Sequence, residues 1–270
     1  MKIGFIGLGN MATAMIGGML GTDAFRTEEI IGSAKTQETA DRVSEKYGIA
    51  TGTDNRETAR QADVLILAVK PIFLPEVIAE IKDLIDGEGM LVISIVAGKS
   101  IDWMEQEFGK TLRIIRCMPN TPAMVREGCT CICLKETFSD RGVYADDQEL
   151  ALKIMNSFGK ASILPERLME AFIGVAGSAP AYVFILIEAM ADAAVRAGMP
   201  RKQAYEFAAQ SVLGSAKMVL ETGMHPGELK DMVCSPAGTT IEAGRVLEEK
   251  GMRAAVIDAI DACGEKSRNL

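Results

Sequence analysis

Lys2-Ile3-Gly4-Phe5-Ile6-Gly7-Leu8-Gly9-Asn10-Met11-Ala12 is the stretch that decides the fold. A short strand-like run meets two glycines one residue apart, and a helix-like segment opens at Asn10. Gly7 permits a tight turn. Gly9 lets a backbone come close to a pyrophosphate. Ala12 stands where a third glycine is usual and still allows close helix–strand packing. A helix starting here directs unpaired N–H groups at whatever lies before it, which suits phosphate oxygens. Gly7, Leu8, Gly9, Asn10, Met11 and Ala12 are therefore candidate cofactor contacts. The competing reading of the same spacing is a structural turn with no ligand.

The segments that follow repeat the alternation. Ile30–Ser33 reads as a strand and Thr36–Tyr47 as a helix with a polar outer face. Asp63–Val69 holds an unbroken apolar run, as in strands covered on both faces. Phe73–Ile85, Met90–Val96, Ser100–Phe108 and Thr111–Arg116 continue the series, and Lys160–Leu164 adds one more strand. Strand and helix in turn predict a doubly wound, Rossmann-type parallel sheet. Beyond it every long segment is helical: Ala179–Ala197, Arg201–Glu221, Gly238–Glu249 and Met252–Ser267. The boundary is placed in the Leu164-Pro165-Glu166 turn, giving a dinucleotide-binding domain over 1–164 and a helical domain over 165–270. The helical part is apolar on broad faces, with Ala189, Ala193, Ala194 and Ala197 permitting close approach. Such a unit is expected to complete its core in a homodimer or larger homo-oligomer.

Composition narrows the partners. Of the 270 residues 48% are apolar and 5% aromatic, with a net charge of −8 and no basic run. A folded core is expected, and nucleic acid and anionic membrane surfaces are disfavoured. The uncharged run Ala171–Ile187 contains Gly174, Gly177, Ser178 and Pro180, and reads as a buried helix with a broken start rather than a membrane span. Ser178 is the expected N-cap there, with Pro180 in the first turn. No export signal is evident, so a reducing cytoplasm and free thiols are expected for the six Cys.

Which dinucleotide is bound depends on the end of the second strand, where an NAD site usually carries a carboxylate. Here the chain reads Gly32-Ser33-Ala34-Lys35-Thr36. Nothing repels a 2′-phosphate, and Ser33 and Lys35 offer it a hydroxyl and a cation. NADPH is thus favoured, with NADH a weaker alternative. Asn55 is an expected N-cap of the helix Arg56–Ala62 and an adenine-side contact. Ala68, Val69, Lys70 and Pro71 leave the next strand end, with Pro71 holding Lys70 extended. Ala97, beside Gly98, permits close approach, and Asn120 sits in the stiff Met118-Pro119-Asn120-Thr121-Pro122 loop. In the helical part, Ser235-Pro236-Ala237-Gly238-Thr239-Thr240 leads into a helix and suits a small carboxylate, or is simply a helix cap.

Taken together, these segments resemble Δ1-pyrroline-5-carboxylate reductases over nearly the whole chain. The resemblance is carried by Gly4–Ala12, Ala68–Pro71, Arg116-Cys117-Met118-Pro119-Asn120-Thr121-Pro122, Gly177–Tyr182, His225-Pro226-Gly227 and Ser235–Ile241. It implies hydride transfer from NAD(P)H to the C=N carbon of a cyclic imine, (S)-1-pyrroline-5-carboxylate, giving L-proline in the final step of its biosynthesis. It also implies that Ser235, Ala237, Gly238, Thr239 and Thr240 bind the substrate carboxylate, that Glu166 lines the pocket, and that the Thr240 hydroxyl meets the ring nitrogen as the catalytic contact. Family members usually have glycine at the positions of Ala179 and Ala237. The Ala237 methyl is expected to restrict the substrate loop.

Other features are discounted. Cys129, Cys131 and Cys133 would share one face of a strand, and read as small buried hydrophobes rather than metal ligands; no metal site is expected. His225, the only histidine, precedes Pro226-Gly227 and reads as a turn or cap. A β-hydroxyacid dehydrogenase relative would need a lysine on the long interdomain helix, and Ala179–Val195 has none. A non-catalytic dinucleotide-binding regulator is the remaining alternative, and the intact 235–240 loop disfavours it.

Overall fold

The computed structural model describes residues 1–86, 89–135 and 144–268. Chain contacts divide it into two compact units, Met1–Ser178 with Cys263–Leu270, and Ala179–Ala262.

The first unit alternates as the sequence predicts, with three elements the sequence reading did not assign, over Ala50–Gly52, Gly128–Leu134 and Tyr144–Asn156. In chain order it holds β1 (Ile3–Ile6), α1 (Asn10–Gly21), β2 (Ile30–Ser33), α2 (Gln37–Tyr47), β3 (Ala50–Gly52), α3 (Asn55–Gln61) and β4 (Val64–Leu67). Then come α4 (Leu74–Ile81), β5 (Leu91–Ser94), α5 (Ile101–Phe108), β6 (Ile114–Met118), β7 (Gly128–Leu134), α6 (Tyr144–Asn156), β8 (Gly159–Ile163) and α7 (Met169–Phe172). The eight strands form one sheet in the order β3-β2-β1-β4-β5-β6-β7-β8. The first six reproduce the doubly wound 3-2-1-4-5-6 arrangement, whose reversal between β1 and β4 creates a crevice at the strands' carboxyl ends.

Strand alternation sends side chains to two cores. Ile3, Phe5, Val64 and Ile66 meet Met15, Ile16 and Met19 of α1 and Phe158. Ile6, Leu65 and Leu67 meet Val77, Ile78 and Ile81 of α4 and Met104 of α5. Each such fully buried side chain contributes roughly 1.5–3 kcal/mol.

One expectation is corrected. The sheet is not wholly parallel, because β7 runs antiparallel to β6 and β8 parallel to β7. The link from Met118 to Gly128 is too short for a parallel crossover. Chain contacts divide the units at Ser178, fourteen residues beyond the boundary placed from sequence at residue 164, because Met169 and Phe172 pack against Met118, Cys131 and Cys133 of the sheet. That small cluster ties the start of the helical segment to the first unit.

The second unit contains α8 (Ala179–Arg196), α9 (Arg201–Thr222), α10 (Pro226–Val233), α11 (Thr239–Glu249) and the first part of α12 (Met252–Arg268). The four long helices begin and end within a residue of their expected limits. α10 is additional. Among the described residues of this unit, only Ala191, Ala204, Ala208 and Leu229 are buried among the apolar ones. Phe184, Ile185 and Phe207 are each more than 60% exposed. The helix expected to be buried around Ala171–Ile187 is therefore largely uncovered in the single chain. Its start is broken, by a π-helical turn over Ile173–Gly177. Ser178 has helical dihedrals (φ −96°, ψ −20°) and continues that turn, so it is not the expected N-cap. Its Oγ accepts from the Cys263 thiol instead, at 3.1 Å.

Candidate active site

The glycine turn is shaped for something other than its own side chains. Gly7 has φ +96°, and a Cβ there would lie 2.8 Å from the Ala68 carbonyl oxygen. Only glycine serves at such a position. Its N–H donates to the Ser33 carbonyl at 2.9 Å, locking β1 against β2. At Gly9, by contrast, a Cβ would meet nothing within 4 Å. No side chain caps α1 and no acidic residue sits in its first turn. An uncapped helix N-terminus facing an open cradle fits a pyrophosphate. Leu8 and Ala12 point into the core, at 2% and 1% exposure, so their contribution to a ligand is through backbone.

A cleft of about 490 Å³ opens beside this turn. It brings together Gly7, Leu8, Gly9, Ser33, Lys35, Asn55, Ala68, Val69 and Lys70 from the sequence-predicted set. Lys70 is extended (φ −65°, ψ 147°) before Pro71, as the X-Pro rule requires. Ser33 Oγ donates to Asn55 Oδ1 at 2.7 Å, and Asn55 Nδ2 donates to Glu80 at 2.7 Å. Asn55 is the first residue of α3, not its cap. Asp54 is the cap, accepting from the N–H groups of Arg56 and Glu57. Lys35 lies with its Nζ 4.5 Å from the centre of the Phe73 ring.

Sequence reasoning missed Arg42 and Thr39, which stand one turn apart on α2 and line the same cleft. Neither Lys35 nor Arg42 forms an ion pair among the described residues, so both cations remain available to an anion. The signal lay in helical spacing: Thr39 and Arg42 are three apart, on the face that follows the Ser33–Thr36 loop.

Other expected contacts do not line the cleft. Pro71, Ala97 and Asn120 are absent from its walls, and Asn10, Met11 and Ala12 form the first turn of α1 beside it. Asn120 is 7% exposed and wholly committed to the backbone. Its Nδ2 donates to the Ala176 carbonyl at 2.9 Å and its Oδ1 accepts from Cys129 N–H at 2.8 Å. It braces β7 against the π turn. Glu166 Oε1 accepts from Arg116 Nη1 at 2.9 Å and from the Ile101 N–H at 3.1 Å.

In the second unit, Ser235-Pro236-Ala237-Gly238 forms a turn closed by Gly238 N–H donating to the Ser235 carbonyl at 3.0 Å. Proline in second place and a positive φ in third are the marks of a type II turn. The third place is Ala237, at φ +57°. This is the left-handed region, where glycine is preferred, so the methyl is accommodated under strain. α11 follows with Gly238 at its N-cap and no side-chain cap. Its first N–H groups are open, with the Thr239 and Thr240 hydroxyls beside them. Thr240 also lines a groove of about 1060 Å³ with Cys234, Ile241, Leu247, Met252 and Val256.

Two discounted features have definite places. His225 caps α10, its Nδ1 accepting from Gly227 N–H at 3.0 Å. Cys131 and Cys133 are buried with their sulfurs 3.6 Å apart, whereas Cys129 is exposed. Contact with Cys131 and then burial push the Cys133 thiol up, and burial does the same for Cys117. Both are neutral packing thiols.

A doubly wound sheet with an open glycine turn, two cations beyond β2 that form no ion pair among the described residues, and a helical unit with an uncapped helix N-terminus fit a nicotinamide-dependent oxidoreductase. Residues 166–270 match the family model for pyrroline-5-carboxylate reductase dimerisation, and residues 2–98 match that for NADP oxidoreductase, coenzyme F420-dependent. The curated pyrroline-5-carboxylate reductase of Escherichia coli (strain K12) is 48% identical over 269 residues, covering 100% of this chain and 98% of its own length. That of Methanosarcina acetivorans is 45% identical, over 100% and 97%. Among solved structures, a pyrroline-5-carboxylate reductase from Coxiella burnetii superposes with a TM-score of 0.90 at 36% identity, over 99% and 97% of the two chains. A Plasmodium falciparum pyrroline carboxylate reductase with NADP bound gives 0.86 at 31%, also over 99% and 97%. The chain belongs to the pyrroline-5-carboxylate reductase family.

Proposed function

We propose that this chain reduces (S)-1-pyrroline-5-carboxylate to L-proline, with NADPH preferred over NADH, as the closing step of proline biosynthesis. The observation that carries this reading is the full-length relationship to curated reductases of that name. The geometry supplies the parts.

When bound, the reduced nicotinamide supplies the hydride that saturates the C=N carbon. The chain's own work is to hold two reactants in register, which lowers the barrier by removing their freedom of approach. The open N-terminus of α1 and the Gly9 cradle take the pyrophosphate. Lys35 and Arg42, with Thr39, take the 2′-phosphate, and Ser33, whose hydroxyl donates to Asn55, backs that wall of the cleft. The open N–H groups of α11 take the substrate carboxylate, and the Thr240 hydroxyl hydrogen-bonds the ring nitrogen. Glu166 lines the substrate pocket. A protonated imine is already electrophilic and needs no Lewis acid.

The helical unit completes its core against a second copy of the chain, as a homodimer or a larger homo-oligomer. The helical stretch Glu166–Arg196 is long and apolar enough to cross a membrane, with 11% of its apolar window buried. We read it as partner-facing, because the dimerisation model spans it, and we place the enzyme in the cytoplasm. NADPH consumption on adding pyrroline-5-carboxylate, compared with NADH and with a substrate-free blank, tests the whole reading.

A further inference from the structure

Arg116 occupies an unexpected place for a charged residue. It lies in β6 at 4% exposure, and its Nε is buried without any hydrogen-bond acceptor. Its register partner across the sheet is Cys133 of β7, which offers no carboxylate. Its one ion pair among the described residues is with Glu166, fifty residues later, through Nη1 and Oε1. A buried arginine with an orphaned donor is a poor stabilising device, since an apolar side chain of similar length would fill the space without stranding an N–H. What it provides is geometry.

The same Glu166 oxygen also accepts from the N–H of Ile101, the first residue of α5. A single carboxylate oxygen thus joins the middle of β6, the start of α5 and the start of the segment beyond β8. Oε1 is fully committed. Oε2 makes no hydrogen bond among the described residues, and the Glu166 side chain retains 27% exposure.

We infer that Arg116 is a positioning residue for the reduction, acting through Glu166. It locks Oε1 so that Oε2 alone is presented to the substrate, and it holds the Glu166 charge in place. The inference rests on the reading of Glu166 as a substrate-lining residue. Arg116 touches neither substrate nor cofactor.

The test is a double-mutant cycle in the full-length enzyme with Arg116→Lys and Glu166→Gln, reading kcat, KM for pyrroline-5-carboxylate and Kd for NADPH. Lysine keeps the charge but loses the planar fork. Arg116→Lys is expected to raise the substrate KM roughly 10-fold, the scale of one misplaced charged hydrogen bond, and to leave the NADPH Kd within about twofold of wild type. In the Glu166→Gln background the same change should add nothing. Independent, multiplying effects would overturn the inference, as would a wild-type KM in Arg116→Lys when Glu166→Gln is impaired. A wild-type KM in Glu166→Gln alone would instead remove Glu166 from the pocket, and this inference with it. Should Arg116→Lys fail to fold, Glu166→Asp keeps the charge and withdraws the carboxylate by one methylene. It should reproduce the KM rise and speed amide exchange at Ile101, and wild-type values for both would contradict the inference.

Discussion

Lys35 and Arg42 are two cations on one cleft wall with no carboxylate paired to either among the described residues. In a chain of net charge −8, such local cations are where a phosphate monoester would be drawn. Lys35→Ala and Arg42→Ala should each raise the NADPH KM roughly 10-fold, as expected for a lost charge-assisted contact, while the NADH KM stays unchanged. Equal effects on both cofactors would take these residues away from the 2′-phosphate. At the substrate end, Thr240→Ala should lower kcat/KM by about 10- to 100-fold, the scale of one directed hydrogen bond. Wild-type kinetics in that variant would remove Thr240 from the mechanism.

Between residue and domain, the turn before α11 shows how a local rule bears on the site. Ala237 holds φ +57° in a type II turn that sets the direction of the helix N-terminus. Ala237→Gly relieves that strain and should raise stability by about 1 kcal/mol, less the extra freedom glycine gains in the unfolded chain. Thermal unfolding checks the sign, and a fall in Tm would show that the turn is not strained. Most strands of the sheet and the long helices of the second unit were legible in the sequence because their periodicity is strong, as in the apolar run Val64–Val69 that contains β4, whereas β3, β7 and α6 were not assigned. The reversal of β7 was not legible. It depends on the length of the link from β6, a tertiary constraint that no side-chain pattern records. Asn120 looked like a ligand contact because a rigid polar loop can serve a ligand or the fold. Its side chain bonds Ala176 and Cys129 and so has a part in the fold, which the sequence pattern did not reveal. Arg42 was missed for the opposite reason: one arginine on a polar helix face reads as solvated until the fold places it on the wall of the cleft.

For the whole molecule, a helical unit with four buried apolar side chains among its described residues is short of core. The deficit is expected to be met by a second copy. Light scattering at micromolar concentration should return at least a dimer mass, and Phe184→Asp, on the exposed face of α8, should shift it toward monomer and lower Tm. A monomeric wild-type mass would contradict this account of the helical unit.

The reaction itself is tested most directly by mixing purified protein, NADPH and pyrroline-5-carboxylate and measuring NADPH loss together with proline formed. The account predicts substrate-dependent oxidation with one proline appearing per NADPH consumed, faster than with NADH. A folded protein that binds NADPH yet shows no oxidation above the substrate-free blank would contradict it.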